Sequence, residues 1–363
     1  MARRSRFGLL AFACLVLALV VAACGGGSSS SSGSSEGGVS EATAESQGSE
    51  SQESESTGEK AEIAFFGLAA ANAYTQAAWE AAKAEAEKEG ASIRFFDGEF
   101  NGSVQFKQIQ DAIASGQYNG FDIMPNDGSG LVPVAEEAIQ AGIKVASLEF
   151  ALGSDPTSLE PQVEGLTTTV GYNITDGAEA VSNEVVKECE GKDPCEVALM
   201  YGELSTQFDQ IRQKTTKEIL DKHSNIDVVS ETEGGFLREG GAKATQDVLA
   251  AHPDVEVIAS PSADQEVLGA MQVLEHDGKT GVALIGTGGA NAAVEAVREG
   301  KYTATFVQLP ATEGRLATQY LIEAIDGKEV PDEVNLAGKA PVGALFTVET
   351  SKKAPNWKAE WEG

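Results

Sequence analysis

The chain has 363 residues, 42% of them hydrophobic, and a formal net charge of −30 at pH 7. A field of that sign repels nucleic acid and anionic membrane surfaces and disfavours polyanionic ligands. It leaves the fold open, but the length exceeds what one core usually fills and points to two domains.

The chain opens on a targeting segment, residues 1–23. Arg3, Arg4 and Arg6 form a basic start, residues 7–21 are almost wholly apolar, and Ala22 and Ala23 lead into Cys24. This is the pattern of a secretory signal with a small-residue cleavage site, and its apolar run is short of the ~20 residues that a spanning helix needs. Arg3-Arg4 alone does not make a twin-arginine motif, so the general secretory route is expected, with Cys14 leaving in the signal. "VVAAC" resembles the bacterial lipobox, which implies that Cys24 receives lipid and becomes the new N-terminus. Residues 24–60 are nearly all Gly, Ser, Glu, Gln, Ala and Thr, with Val39 the one sizeable apolar side chain. Such a stretch buries too little surface to offset its ordering entropy, so it reads as a flexible acidic tether. One acyl chain binds membranes marginally, so stable retention calls for multiple acylation.

From residue 62 onward, β-branched or aromatic runs alternate with alanine-rich periodic segments. "EIAFFGL", "SIRFFD", "FDIMP" and "IKVASLEF" read as strands, separated by the helices "TQAAWEAAKAEAEKEG", "SVQFKQIQDAIASG" and "GLVPVAEEAIQAG". Asn101 or Ser103 is the expected cap of the second helix, and Gly90 and Gly116 end the first two. The rhythm lapses between Ala151 and Leu166, then restarts at "TTTVGYN" with a helix over residues 176–189. "EVALMYG", "IDVVSET", "VEVIASP", "GVALIGTG" and "YTATFVQLP" continue the strands, each followed by a periodic helical segment. This βαβα order predicts α/β architecture: two Rossmann-like, doubly wound parallel sheets with helices on both faces. The halves echo one another, since "FDIMPNDGSGLVPVAEEAIQAGIKV" and "VEVIASPSADQEVLGAMQVLEHDGKTGV" are both strand, polar turn, helix, glycine, strand. Open sheets of this type bind ligands outside the carboxyl ends of their strands, which here predicts a shared cleft. Cys189 and Cys195 frame "CEGKDPC". In an exported chain that spacing predicts a disulfide closing a short turn, with no further ligands nearby for a metal.

At its strand-end turns the sequence resembles the ribose/galactose-type sugar-binding proteins of bacterial import systems. The pieces that carry the likeness are "AHPDVEVI…LGAMQVL", "VREGKYTATFVQLP" with "GK" after the next helix, and "IMPNDGSGLVP". The resemblance implies the periplasmic-binding-protein-like type I fold: two lobes joined by a three-stranded hinge that closes on ligand. Its crossings fall near Gly171–Tyr172, Gln308, and residues 339–342. One lobe then comprises residues 61–171 plus 309–340, the other 172–308 plus 341–363. The resemblance further implies an extracytoplasmic monomer, lipid-anchored, that passes a small polar, sugar-like ligand to an ABC permease without cofactor, metal or catalysis.

Carried over one position at a time, the likeness nominates Asn72 as a hydroxyl partner, Tyr74 as an aromatic flanking the ring, and Asn126 or Asp127 in the second polar turn. It also nominates Glu149 where an aspartate is usual, Phe150 where an arginine usually follows, and Arg212, Phe236 and Gln308 from the second half. Thr75 stands where the family has a second aromatic, and Ala263 where it has an asparagine, followed by the expected Asp264. Gly288 replaces an aspartate that bonds two hydroxyls, so Asp264, Gln265 or Asn291 must substitute, or the ligand carries fewer hydroxyls. Amides, carboxylates and an arginine supply the partners a neutral polar ligand needs on leaving water, and aromatic faces cover its C–H surfaces. Each residue also has a plainer reading. Asn72 can cap a helix, Arg212 can pair with Asp209, Phe150, Tyr74 and Phe236 can be core or wall, Glu149 can be solvated, and Gln308 can be a hinge spacer.

Enzymatic readings have less to stand on. His223, His252 and His276 fall at or near helix C-termini, where a cation is favoured, and form no metal or triad pattern. "GTGGAN" lacks the P-loop lysine and reads as a tight turn. The alternatives to a binding protein feeding an importer are a ligand-presenting subunit of a membrane sensor and an α/β enzyme acting in the cleft.

Overall fold

The computed structural model describes residues 60–363, so the targeting segment, the Cys24 anchor and the tether up to Glu59 lie outside the described residues. No helix among the described residues is long and apolar enough to cross a membrane.

The first sheet is built from β1 (Glu62–Gly67), β2 (Ser92–Asp97), β3 (Gly120–Ile123), β4 (Lys144–Glu149) and β5 (Thr168–Gly171). The helices between the first four are α1 (Ala73–Lys88), α2 (Gly102–Ser115) and α3 (Val132–Gln140). The second sheet holds β6 (Cys195–Tyr201), β7 (Ile226–Glu233), β8 (Val257–Ala259), β9 (Ala283–Gly288) and β10 (Ala304–Val307). Around it lie α4 (Ile174–Glu188), α5 (Gln207–Leu220), α6 (Arg238–Ala251), α7 (Asp264–Asp277) and α8 (Asn291–Arg298). The chain closes with α9 (Pro310–Ile325), β11 (Glu333–Asn335), β12 (Leu345–Thr347) and α10 (Val348–Lys353).

The sheets have strand orders β11-β5-β4-β3-β1-β2 and β12-β10-β9-β8-β6-β7. All neighbours pair in parallel except β12, which runs antiparallel to β10. The order reverses at β1/β3 and again at β6/β8, so each sheet has its switch point at matching places. Strands covered on both faces read as unbroken apolar runs, and Phe65, Phe66, Val197 and Leu199 are buried accordingly.

The chain passes between the sheets three times. After β5 it enters α4, which packs on α5 and β9; after β10 it enters α9, which packs on α1 and on β3, β4 and β5; and from β11 it goes to β12. The α1–α9 contact is close enough that a Cβ on Gly314 would meet the Ala78 carbonyl oxygen at 2.0 Å, so a glycine is required there. The passes are tied to one another: the Leu309 N–H donates to the Tyr172 hydroxyl at 2.5 Å, and the Leu336 N–H donates to the Gly171 carbonyl at 2.9 Å.

Local signals match their elements. Asn101 rather than Ser103 caps α2, accepting from the Ser103 and Val104 amides, and Gly116 ends the helix in the left-handed conformation. Cys189 and Cys195 are disulfide-bonded with their Cα atoms 5.6 Å apart. His252 caps the end of α6 and His276 lies in the last turn of α7.

Candidate functional site

One cavity opens at the carboxyl ends of both sheets, with a volume of ≈ 750 Å³ including its mouth. From the first lobe come Leu68, Asn72 and Tyr74 after β1, Phe100 after β2, Asn126 after β3, and Glu149 and Phe150 at the end of β4. The second contributes Glu203, Thr206, Phe208 and Arg212 after β6, Phe236 after β7, and Ser262, Ala263 and Gln265 after β8. Thr287 of β9, Gln308 beyond β10, and Trp361 from the C-terminal tail complete the wall.

Eight of the ten nominated residues therefore meet in one place: Asn72, Tyr74, Asn126, Glu149, Phe150, Arg212, Phe236 and Gln308. Asp127, the alternative to Asn126, and Asp264 do not line it. The Asp127 carboxylate is taken by its own turn, accepting from the Gly130 amide at 2.8 Å and the Ser129 hydroxyl at 3.3 Å. Asp264 is fully buried and accepts from Tyr302 at 2.9 Å, Thr305 at 2.9 Å and the Ala290 amide at 3.1 Å. Burial pushes its carboxyl up to about 6, against the pull of those donors. Neither does Asn291 replace the missing acid, because its side chain bonds Glu362 and Ala359; of the three possible substitutes only Gln265 lines the cavity.

Several wall residues combine the plain role with a place in the cavity. The Asn72 side-chain oxygen caps α1, accepting from the Thr75 amide at 2.8 Å. Tyr74 donates its hydroxyl to Glu313 at 2.6 Å, so its ring, not its O–H, is what remains for a ligand. The Asn126 amide donates to the Leu68 carbonyl at 3.1 Å and bridges two loops. Arg212 pairs with Asp209 at 2.7 Å and stands 5.4 Å over the Phe150 ring. Asp209 is itself fixed by the Glu203 amide at 2.7 Å and the Ser262 hydroxyl at 2.8 Å, so the guanidinium is held in a set orientation.

Glu149 is 7% exposed, not solvated, and its backbone is left-handed at φ 64°. Its Oε2 has no hydrogen-bond partner among the described residues. Burial raises its carboxyl, opposed by Arg212, while burial and the nearby Glu149 raise that of Glu313. Burial of each carboxyl thus disfavours its charged form.

Aromatic pairs bridge the lobes. Phe100 and Phe236 stack with centroids 5.7 Å apart, Phe150 and Phe208 lie 4.2 Å apart, and Tyr74 meets Trp361 edge-on at 5.6 Å. Phe100, Phe208 and Trp361 were not nominated from the sequence. Phe100 sits in the turn after β2 and Phe208 in the first turn of α5, where position alone marks them; Trp361 lies outside every periodic segment.

A profile of the periplasmic binding protein domain matches residues 63–329. The ribose import binding protein of Bacillus subtilis is 26% identical over 251 residues, covering 69% of this chain and 77% of that protein. The D-ribose/D-allose-binding protein of Pseudomonas aeruginosa is 26% identical over 291 residues, covering 79% of this chain and 89% of its own. An ABC transporter solute binding protein from Mycobacterium smegmatis, solved with bound glycerol, superposes with a TM-score of 0.70 at 26% identity, covering 84% of this chain and all of that one. Profile, relatives and sheet order agree, and the chain belongs to the periplasmic binding protein family, among its ribose/galactose-type members.

Proposed function

We propose that the chain is a lipid-anchored solute-binding protein that captures a sugar or similarly small polar molecule between its lobes and delivers it unchanged to an ABC importer. The observation that carries this reading is the convergence of side chains from both lobes on one cavity at the strand carboxyl ends. An unpartnered Glu149 oxygen stands on one side and an oriented Arg212 on the other. Charged groups make the stronger bonds to hydroxyls, and the aromatic walls exclude water. The relatives are named for binding ribose or for ribose import, which supports ligand class and role together. The anchor rests on Cys24 and its flanking sequence.

Calorimetry of the folded body against D-ribose, D-galactose, xylitol and glycerol tests capture. At least one compound is expected to bind and to be recovered intact; silence across the panel or conversion of the compound overturns the reading. In the intact chain, Cys24→Ser is expected to release the protein from membranes, and retention would remove the anchor from the proposal.

A further inference from the structure

The C-terminal tail brings a tryptophan to the cavity, and the tail is tied down on both sides of it. The Trp361 carbonyl accepts from the Asn291 amide at 2.8 Å and the Glu362 carbonyl from the Ala292 amide at 3.3 Å. These bonds fill the N-terminus of α8 in the second lobe. Glu360 accepts from the Thr312 amide at 2.8 Å and the Thr312 hydroxyl at 2.5 Å, at the start of α9, which packs in the first lobe. Arg238 donates to the Gly363 carbonyl at 3.2 Å. Trp361 is thereby placed with 7% exposure, its indole N–H donating to the Gly288 carbonyl at 3.0 Å.

Two consequences follow at this corner of the cavity. The indole has spent its one donor, so what it offers a ligand is carbon and π surface. Gly288 also has φ 137°, and a Cβ there would lie 2.7 Å from Trp361 Cζ2. A side chain at position 288 and an indole at 361 exclude each other. The neighbouring Tyr74, edge-on to the indole, has committed its hydroxyl to Glu313.

We infer that Trp361 is a specificity-determining residue of the cleft, selecting ligands that present a hydrogen or methyl rather than a hydroxyl at the Gly288 corner. The inference rests on the capture reading above. A hydroxyl forced against the indole edge would lose its partner in water without gaining another, a cost that corresponds to about tenfold or more in affinity.

The test uses calorimetry on matched pairs: D-galactose against 6-deoxy- and 2-deoxy-D-galactose, and D-ribose against 2-deoxy- and 5-deoxy-D-ribose. In the unaltered protein, at least one deoxy sugar is expected to bind about tenfold tighter than its parent. Trp361→Ala is expected to bring that ratio to within about threefold, and Trp361→Gln, which gives up the ring's bulk but adds an amide, to turn it toward the parent. Circular dichroism checks that each variant folds. A ratio unchanged in a folded variant overturns the role of Trp361, because general loosening would weaken both members of a pair alike. Parent sugars bound as well as every deoxy partner by the unaltered protein overturn it with no variant needed. Binding of no sugar at all brings down the capture reading as well, so the two failures are distinguishable.

Discussion

The two lobes repeat one strand order but anchor their facing loops differently. Phe100 and Phe236 stand opposite each other, both with left-handed backbones, at φ 51° and 57°, of a kind non-glycine residues adopt at some cost. In the second lobe that loop is held by a buried acid: Glu266 accepts from the Phe236 amide at 3.1 Å and the Ser260 hydroxyl at 2.6 Å. In the first it is held by Asp97, half-buried, which accepts from the amides of Glu99 at 3.0 Å and Ala70 at 2.9 Å. The same jaw shape is thus reached with a fully desolvated carboxyl on one side and a wetter one on the other. The polar groups lining the cavity differ as well, an oriented guanidinium in the second lobe against a buried, proton-favouring acid in the first.

The largest effect expected from breaking this asymmetry is on pH dependence. Burial pushes Glu266 from its ordinary 4.5 up to about 7. Between those values the folded protein keeps a proton that the unfolded chain has released, so this residue's contribution to stability is full below pH 4.5 and is lost as pH rises toward 7. Glu266→Gln cannot ionise and is expected to flatten the stability profile across that window by up to about 3 kcal/mol, read from urea unfolding at several pH values. An unchanged slope would mean that Glu266 ionises in the fold as it does in water.

Next in size is Arg212→Ala. It removes a charged partner from the cavity and is expected to weaken sugar binding by about 2 kcal/mol or more, some thirtyfold in Kd by calorimetry. Unaltered affinity would take Arg212 out of the ligand's contacts and leave it as the mate of Asp209. The smallest change is expected from Phe100→Ala, which removes the ring stacked on Phe236. Loss of such a pair is worth about 1 kcal/mol beyond its buried area, so the ligand-free protein should shift toward a more open form, seen as a larger radius of gyration in X-ray scattering. Scattering curves that coincide with those of the unaltered protein would show that the stack does not hold the lobes together.

The α/β architecture was legible because its signals are local. Apolar runs bounded by turns, Asn101 before a helix and Gly116 after it each act within a few residues. β11 and β12 escaped notice because they fall beyond the last long periodic helix, α9, and both are fixed by the strands they join. The cavity was legible only as far as strand ends imply it. Tyr74 could be recognised as a wall aromatic, but the partner of its hydroxyl lies 239 residues away in sequence. Asp264 sits at a turn that faces the cleft, yet three donors from β9–β10 and the residues between them draw its carboxylate inward. Trp361 leaves a trace only in a different place, at Gly288, where the absent side chain marks the room an indole takes.

The bond from Leu309 to the Tyr172 hydroxyl joins two adjacent passes of the chain between the lobes, with both residues buried. It acts as an axle. Sliding the lobes past each other would break it, whereas a swing about it would not, so the bond favours rotation over shear. Lobes that swing about this bond would move least at the buried passes and most at the rims farthest from them.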